Sequence, residues 1–200
     1  MKFSAVILAG GKSSRMGRDK ALLQLGGQSL LARQISVARE AGASEVLISG
    51  RNQVDYSEFG CPVLLDRFVD AGPLAGIDCA LEMTTSSLLL VLAVDMPRVS
   101  VEVLRALLLK SSGDVGVIPR VNGAVEPLAA FYPRASRKVI LDLFSEAHLK
   151  TGQTISPAKS PSAMGFAERC VSIGLARFED LPKETAHFFS NWNSLEQVES

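Results

Sequence analysis

Two hundred residues, 47% of them hydrophobic, suffice for one substantial core and exclude the disordered class. Lys plus Arg and Asp plus Glu each total 21, so no bulk field draws the chain to nucleic acid or to an anionic membrane, although a local basic pocket is compatible with that balance. The apolar runs 87–94 and 104–109 fall far short of a membrane span, and the short apolar stretch before Gly10 is too brief for a secretory signal, so the expected compartment is the cytoplasm.

Apolar runs alternate with helical periodicity along the chain. Residues 3–9 read as a buried strand ended by Gly10-Gly11. Residues 28–41 place Leu30, Leu31, Ile35, Val37 and Ala38 at helical spacing, and Gly42 stops the helix. Strands follow over 45–49 and 61–65, then a helix over 74–83 opened by Gly72-Pro73. Residues 88–94 form the most apolar strand, hence a central one, ending at Asp95-Met96-Pro97. Ser100 is the expected N-cap of a helix whose buried stripe is Val103, Leu104, Leu107 and Leu108. Strands over 115–118 and 128–132 and a helix over 134–145 come next. The Pro- and Ser-rich stretch 150–167 reads as a mobile loop or broken helix, 171–175 as a strand, and 188–192 as another strand followed by a short helix from Ser194.

This alternation predicts an α/β fold of three layers with a mostly parallel central sheet. Ligands in such sheets bind outside the carboxyl ends of the strands, which singles out the segments after Ala9, Ser49, Leu65 and Val94. Cys61, Cys79 and Cys170 are scattered, with no CxxC pair and no histidine nearby, so neither a zinc cluster nor a disulfide framework is expected. His148 and His187 are assigned no chemistry.

The segment Leu8-Ala9-Gly10-Gly11-Lys12-Ser13-Ser14-Arg15-Met16-Gly17-Arg18-Asp19-Lys20 leaves the first strand at that edge. Gly10 and Gly11 allow close backbone approach and inward N–H groups, and Lys12, Arg15, Arg18 and Lys20 put four cations against one acid within nine residues. A polyphosphate is the natural ligand. A P-loop is excluded because Val6 stands where its first glycine belongs, and the dinucleotide fingerprint because Lys12 stands two residues after Gly10. Asp95, at the end of the most apolar strand, suits Mg²⁺, which prefers few carboxylates plus phosphate oxygens and water.

The segment LAGGxSxRMGxDK resembles the signature of the nucleotidyltransferase superfamily, and Leu8-Ala9-Gly10-Gly11 has the form typical of molybdenum cofactor guanylyltransferases, where related cytidylyltransferases carry alanine at position 10. Asp66, Gly72-Pro73-Leu74-Ala75-Gly76, Asp95-Met96-Pro97, Pro127–Tyr132 and Phe189–Asn193 resemble further landmarks of that family in order. The resemblance covers essentially the whole chain and implies one nucleotidyltransferase domain over 1–200 with a Rossmann-like fold. It implies transfer of GMP from GTP to the terminal phosphate of Mo-molybdopterin, with release of pyrophosphate and Mg²⁺ as cofactor. The roles it implies are catalytic for Arg15, Lys20 and Asp95, and nucleotide-binding for Leu8, Ala9, Gly10, Gly11, Lys12, Lys20, Asp66 and Asp95. Asp95 is the implied metal ligand, and Asn191 and Asn193, alternating along a strand, are the implied pterin contacts. Arg51, Arg98 and Arg120 stand near predicted strand ends as further candidates for the pterin phosphate. Molybdoenzyme chaperones or other cofactor-biosynthesis proteins are the partners implied; no nucleic acid and no membrane are. Two departures stand out: Ser194-Leu195 replaces the usual Thr-Pro, and Ser49 stands where the family has a nucleotide-contacting asparagine, with Asn52 three residues on. The competing readings are a cytidylyltransferase or sugar-phosphate nucleotidyltransferase of the same fold, and a GTP- and molybdopterin-binding adaptor without transfer chemistry.

Overall fold

The computed structural model describes residues 1–10, 19–65, 72–151 and 160–192, with the side chains of 150 and 151 excepted. Its strands are β1 (Phe3–Leu8), β2 (Gln24–Leu25), β3 (Gln28–Ser29), β4 (Glu45–Gly50), β5 (Val63–Leu65), β6 (Leu88–Ala93), β7 (Gly116–Val121), β8 (Ala124–Val125), β9 (Ala129–Pro133) and β10 (Ala176–Leu181). Its α-helices are α1 (Leu30–Ala41), α2 (Pro73–Met83), α3 (Val101–Lys110), α4 (Arg137–Thr151) and α5 (Ala163–Ser172). The main sheet runs β10-β7-β9-β6-β1-β4-β5, with β8 paired to β7. β1 is parallel to both β4 and β6, and β5 is parallel to β4; β9 runs antiparallel to β6 and β7. The sheet is therefore mostly parallel with one reversed inner strand.

Two apolar clusters cover the two faces. Phe3, Ala5 and Ile7 of β1 and Leu88, Leu90 and Leu92 of β6 face Leu31, Ile35 and Ala38 of α1 and Leu104 and Leu107 of α3. The alternate residues Val6, Leu8, Leu89 and Val91 face Leu74, Ile77, Ile140, Phe144 and Phe166 of α2, α4 and α5. Period-two alternation sends successive side chains to opposite faces, so a strand covered on both sides must be apolar throughout. The expected three-layer architecture is what forms.

Helix ends follow the local chemistry. Ser29, Ser100 and Ser162 accept from the N–H groups of Ala32, Val103 and Gly165 and so cap α1, α3 and α5. Gly72 precedes Pro73 with φ +66°, a conformation that favours glycine.

Three expectations are corrected. Of the two readings of 150–167, mobile loop or broken helix, the loop fails over 163–167, which belongs to α5, and 171–175 is not a strand: Phe166, Ala167 and Cys170 are buried at helical spacing, and Gly174 at φ +78° ends the turn beyond the helix. The strand lies further on at β10, at the sheet edge, where Arg177, Glu179 and Asp180 broke the apolar pattern that signals a strand. Residues 183–189 form a 3₁₀ segment, and Ser190–Trp192 pairs with no strand, so the strand expected over 188–192 is absent. The helix expected from Ser194 and residues 152–159 lie outside the described residues. No described helix is long and apolar enough to cross a membrane.

Candidate active site

The chain winds from β1 outward through β4 to β5, then α2 carries it back to β6 on the other side of β1. The order reverses beside β1, and the carboxyl ends of β1 and β6 bound the crevice where such sheets take ligands. Leu8 accepts from the Val94 N–H at 3.2 Å, and the N–H groups of Ala9 and Gly10 both donate to the Ser49 carbonyl, at 2.9 and 3.0 Å. The start of the glycine loop is thus pinned between the ends of β4 and β6. The Gly10 amide is engaged by the protein itself.

Lys20 enters from the far side of the loop. Asp19 caps the 3₁₀ turn Lys20–Leu22, its Oδ1 accepting the Ala21 N–H at 2.9 Å. Its Oδ2 accepts the Tyr56 hydroxyl at 3.2 Å. The Tyr56 ring lies against Gly50, where an added Cβ would collide with it. Burial, and then the Asp19 carboxylate, push the Tyr56 phenol from 10.0 up to about 12, so it remains a neutral donor.

Lys20 and Asp95, far apart in sequence, meet in the crevice. Lys20 Nζ lies 3.3 Å from Asp95 Oδ2, with the two side chains 19% and 30% exposed. Partial removal from water strengthens the pair relative to a surface one, while leaving both groups reachable. Asp95 rides on a turn after β6 that neighbouring elements hold. Gln34 of α1 donates from Nε2 to the carbonyls of Met96, at 2.6 Å, and Ala93, at 3.4 Å. Arg33 donates from Nε to the Pro97 carbonyl at 2.6 Å. The Trp192 N–H donates to the Asp95 carbonyl at 2.9 Å, and the Arg98 guanidinium lies 5.7 Å from the Trp192 ring centroid.

Of the residues singled out from sequence, Leu8, Ala9, Gly10, Lys20 and Asp95 converge on this crevice. Gly11, Lys12, Arg15, Asp66 and Asn193 lie outside the described residues. Asn191 is exposed and next to Trp192, and it lies on no strand. Ser49 is buried at the end of β4, and an added Cβ on Gly76 would collide with its hydroxyl, so its side chain serves strand–helix packing. Asn52 is exposed in the following turn. Arg120 is taken up by Asp180 in a two-pronged pair at 2.7 and 2.8 Å across β7 and β10, which raises the guanidinium and lowers the carboxyl from their ordinary values. All three cysteines are free; burial pushes Cys170 up to about 11.

Gln34 and Tyr56 were missed in the sequence. Gln34 carried a signal: it falls four residues after Leu30 and three after Leu31, on the buried stripe of α1, where a polar residue needs a partner. Nothing in local spacing ties Tyr56 to Asp19.

Asp95 offers one partly open carboxylate. Among the described residues no group of three His, Cys, Asp or Glu side chains forms a closed cage. Such a donor set suits a hard cation that takes its other ligands from phosphate and water, rather than structural zinc.

Residues 5–156 match the family model described as MobA-like NTP transferase domain. The chain is 36% identical over 193 residues to a probable molybdenum cofactor guanylyltransferase of Opitutus terrae, covering 95% of this chain and 90% of that one. Among solved structures, molybdopterin-guanine dinucleotide biosynthesis protein A of Archaeoglobus fulgidus superposes with TM-score 0.67 at 22% identity, over 98% of this chain and 95% of the other. A Mycobacterium tuberculosis protein solved as a complex with manganese superposes with TM-score 0.59 at 16% identity, over 90% and 88%. The chain belongs to the MobA-like NTP transferase domain family.

Proposed function

We propose that this chain transfers GMP from GTP to the terminal phosphate of molybdopterin and releases pyrophosphate. The observation that carries the reading is the meeting of Lys20 and Asp95 at 3.3 Å in the crevice beside β1. The guanylyltransferase relatives supply the substrate class.

In the reaction a phosphate oxygen of the acceptor bonds to the α-phosphorus of GTP. The bond from that phosphorus to the bridging oxygen breaks, and pyrophosphate leaves with the electron pair. The attacking oxygen is already anionic, so no general base is required. The obstacle is gathering several anions in one place, and positioning with charge neutralisation meets it. Lys20 neutralises the triphosphate and the leaving pyrophosphate, with Arg15 and Lys12 of the adjoining loop. Asp95 is the ligand of a divalent cation, which we take to be Mg²⁺; when bound, it supplies Lewis-acid stabilisation of the phosphate charge. Asp95 would hold the cation, and Lys20, 3.3 Å from that carboxylate, would offer its ammonium to phosphate. Gly10 supports the reading sterically. An added Cβ there would meet the carbonyl oxygens of Ser49 and Gly50 only at 3.7 and 3.9 Å, ordinary contacts, so the described protein does not itself require glycine and the bare position suits a ligand's approach. Leu8, Ala9, Gly11 and Asp66 complete the nucleotide contacts in this reading, and Asn191 and Asn193 meet the pterin.

The test is pyrophosphate release from each nucleoside triphosphate with molybdopterin and Mg²⁺, followed by mass spectrometry of the product. GTP should be preferred, and Asp95→Ala should lower turnover by two orders of magnitude or more, on the scale of lost electrostatic stabilisation, about 10²-fold. Preference for CTP, or full turnover by Asp95→Ala with magnesium as the only metal, would overturn the assignment. GTP binding without pyrophosphate release would favour the adaptor.

A further inference from the structure

Gln34 is wholly buried on the apolar face of α1, yet it has a side-chain amide there. Both partners of its Nε2, Ala93 and Met96, are carbonyls, which settles the orientation of the amide: reversed, it would set oxygen against oxygen. Its Oε1 has no hydrogen-bond partner among the described residues. A buried carbonyl without a partner is unfavourable, and an aliphatic side chain would suit the surrounding cluster of Leu30, Leu31 and Ile35 better. Backbone accounting does not explain the residue either. The Ala93 carbonyl also accepts from the Met96 N–H at 3.4 Å, and the Met96 carbonyl from the Val99 N–H at 3.2 Å. Both carbonyls keep a donor without Gln34.

The two bonds do share one geometric result, which is that they grip the chain on either side of Asp95. Residue 93 ends β6 and is fixed by the sheet; residue 96 is past the turn and otherwise held by long local bonds. We propose that Gln34 is a positioning residue that locks the 93–96 turn to α1 and so fixes the direction in which the Asp95 carboxylate meets the cation and Lys20. This inference rests on the reading of Asp95 as the cation's ligand. A carboxylate that must meet a small ion with near-octahedral demands gains from a backbone that cannot rotate, and outer partners of a ligand commonly set its affinity.

The variant Gln34→Met keeps length and apolar fit and removes both donors. Three measurements apply: thermal stability, hydrogen exchange of the amides of Met96, Val99 and Trp192, and the Mg²⁺ concentration for half-maximal pyrophosphate release at saturating GTP. The expected result is unchanged or higher thermal stability, faster exchange confined to those amides, and a half-saturating Mg²⁺ concentration raised about tenfold, the lower end of the range for lost outer partners of a metal ligand. Gln34→Glu, whose buried neutral carboxyl can donate to a single carbonyl, should fall between the two and keeps the test available should Met not fold. Unchanged exchange and unchanged Mg²⁺ dependence in the folded variants overturn the proposal. So does a fall in thermal stability with unaltered Mg²⁺ dependence, which marks a structural amide. The reading of Asp95 fails separately: Asp95→Asn would then retain the parent's Mg²⁺ dependence, whatever Gln34→Met does.

Discussion

Tyr56 illustrates how one hydroxyl can reach the site through an intermediary. It donates to Asp19, and Asp19 caps the turn that carries Lys20. The folded-state phenol titrates at about 12 against an ordinary 10.0, so folding favours the protonated form. The stability this contributes is fully present below pH 10 and is lost as pH rises toward 12. Tyr56→Phe keeps the ring that packs on Gly50 and should cost about 1 kcal/mol at neutral pH, the worth of one hydrogen bond. Its thermal stability should then decline less steeply than the parent's between pH 10 and pH 12. Thermal melts of both proteins across that range share every other titration, and parallel curves would remove Tyr56 from the account. At this scale the positions of Ala9, Gly10 and Asp95 were legible, because each directly follows an apolar strand run. Tyr56 was not, because a contact with Asp19 across 37 positions leaves no local trace.

Among the elements, α2 fits against β4 and β1 through the absence of a side chain. An added Cβ on Gly76 would collide with Ser49, and would also come within 3.2 Å of Leu8. Gly76→Ala should therefore destabilise by about 1–3 kcal/mol, as overpacking does. Because Ser49 also receives the Ala9 and Gly10 amides, the variant should disturb the loop and lower turnover too. Ser49→Gly in the same chain should restore part of the stability. Chemical denaturation of the single and double variants checks this, and a Gly76→Ala protein as stable as the parent would mean that β4 and α2 separate freely. The GPLAG segment was visible as a helix start, but the reason for its last glycine is a partner on another strand. The same limit explains α5 and β10. Phe166, Ala167 and Cys170 are buried because they lie on α4 and β9, and β10 carries charges because it is an edge. Neither neighbour is written into the local pattern. A second tertiary device, the buried Asp78 of α2 paired to Arg137 of α4 at 2.9 Å, was equally invisible.

On the scale of the molecule, the chain's last described residues return to the crevice. Trp192, the single tryptophan of the sequence, is 7% exposed and donates its backbone N–H to the Asp95 carbonyl. Its fluorescence should therefore report on the site. Addition of GTP with Mg²⁺ should shift its intensity or wavelength, and the shift should be lost or reduced in Asp95→Asn. No change in the parent at saturating nucleotide would disconnect this segment from the ligand. Layer order and the both-sides-buried strands were readable from residue order, because side-chain periodicity is a local property. The pairing of Lys20 with Asp95, the grip of Gln34 on the turn and the docking of Trp192 were not. They arise from which strands become neighbours, and that depends on how two apolar faces are covered at once, a condition met only when distant segments pack together.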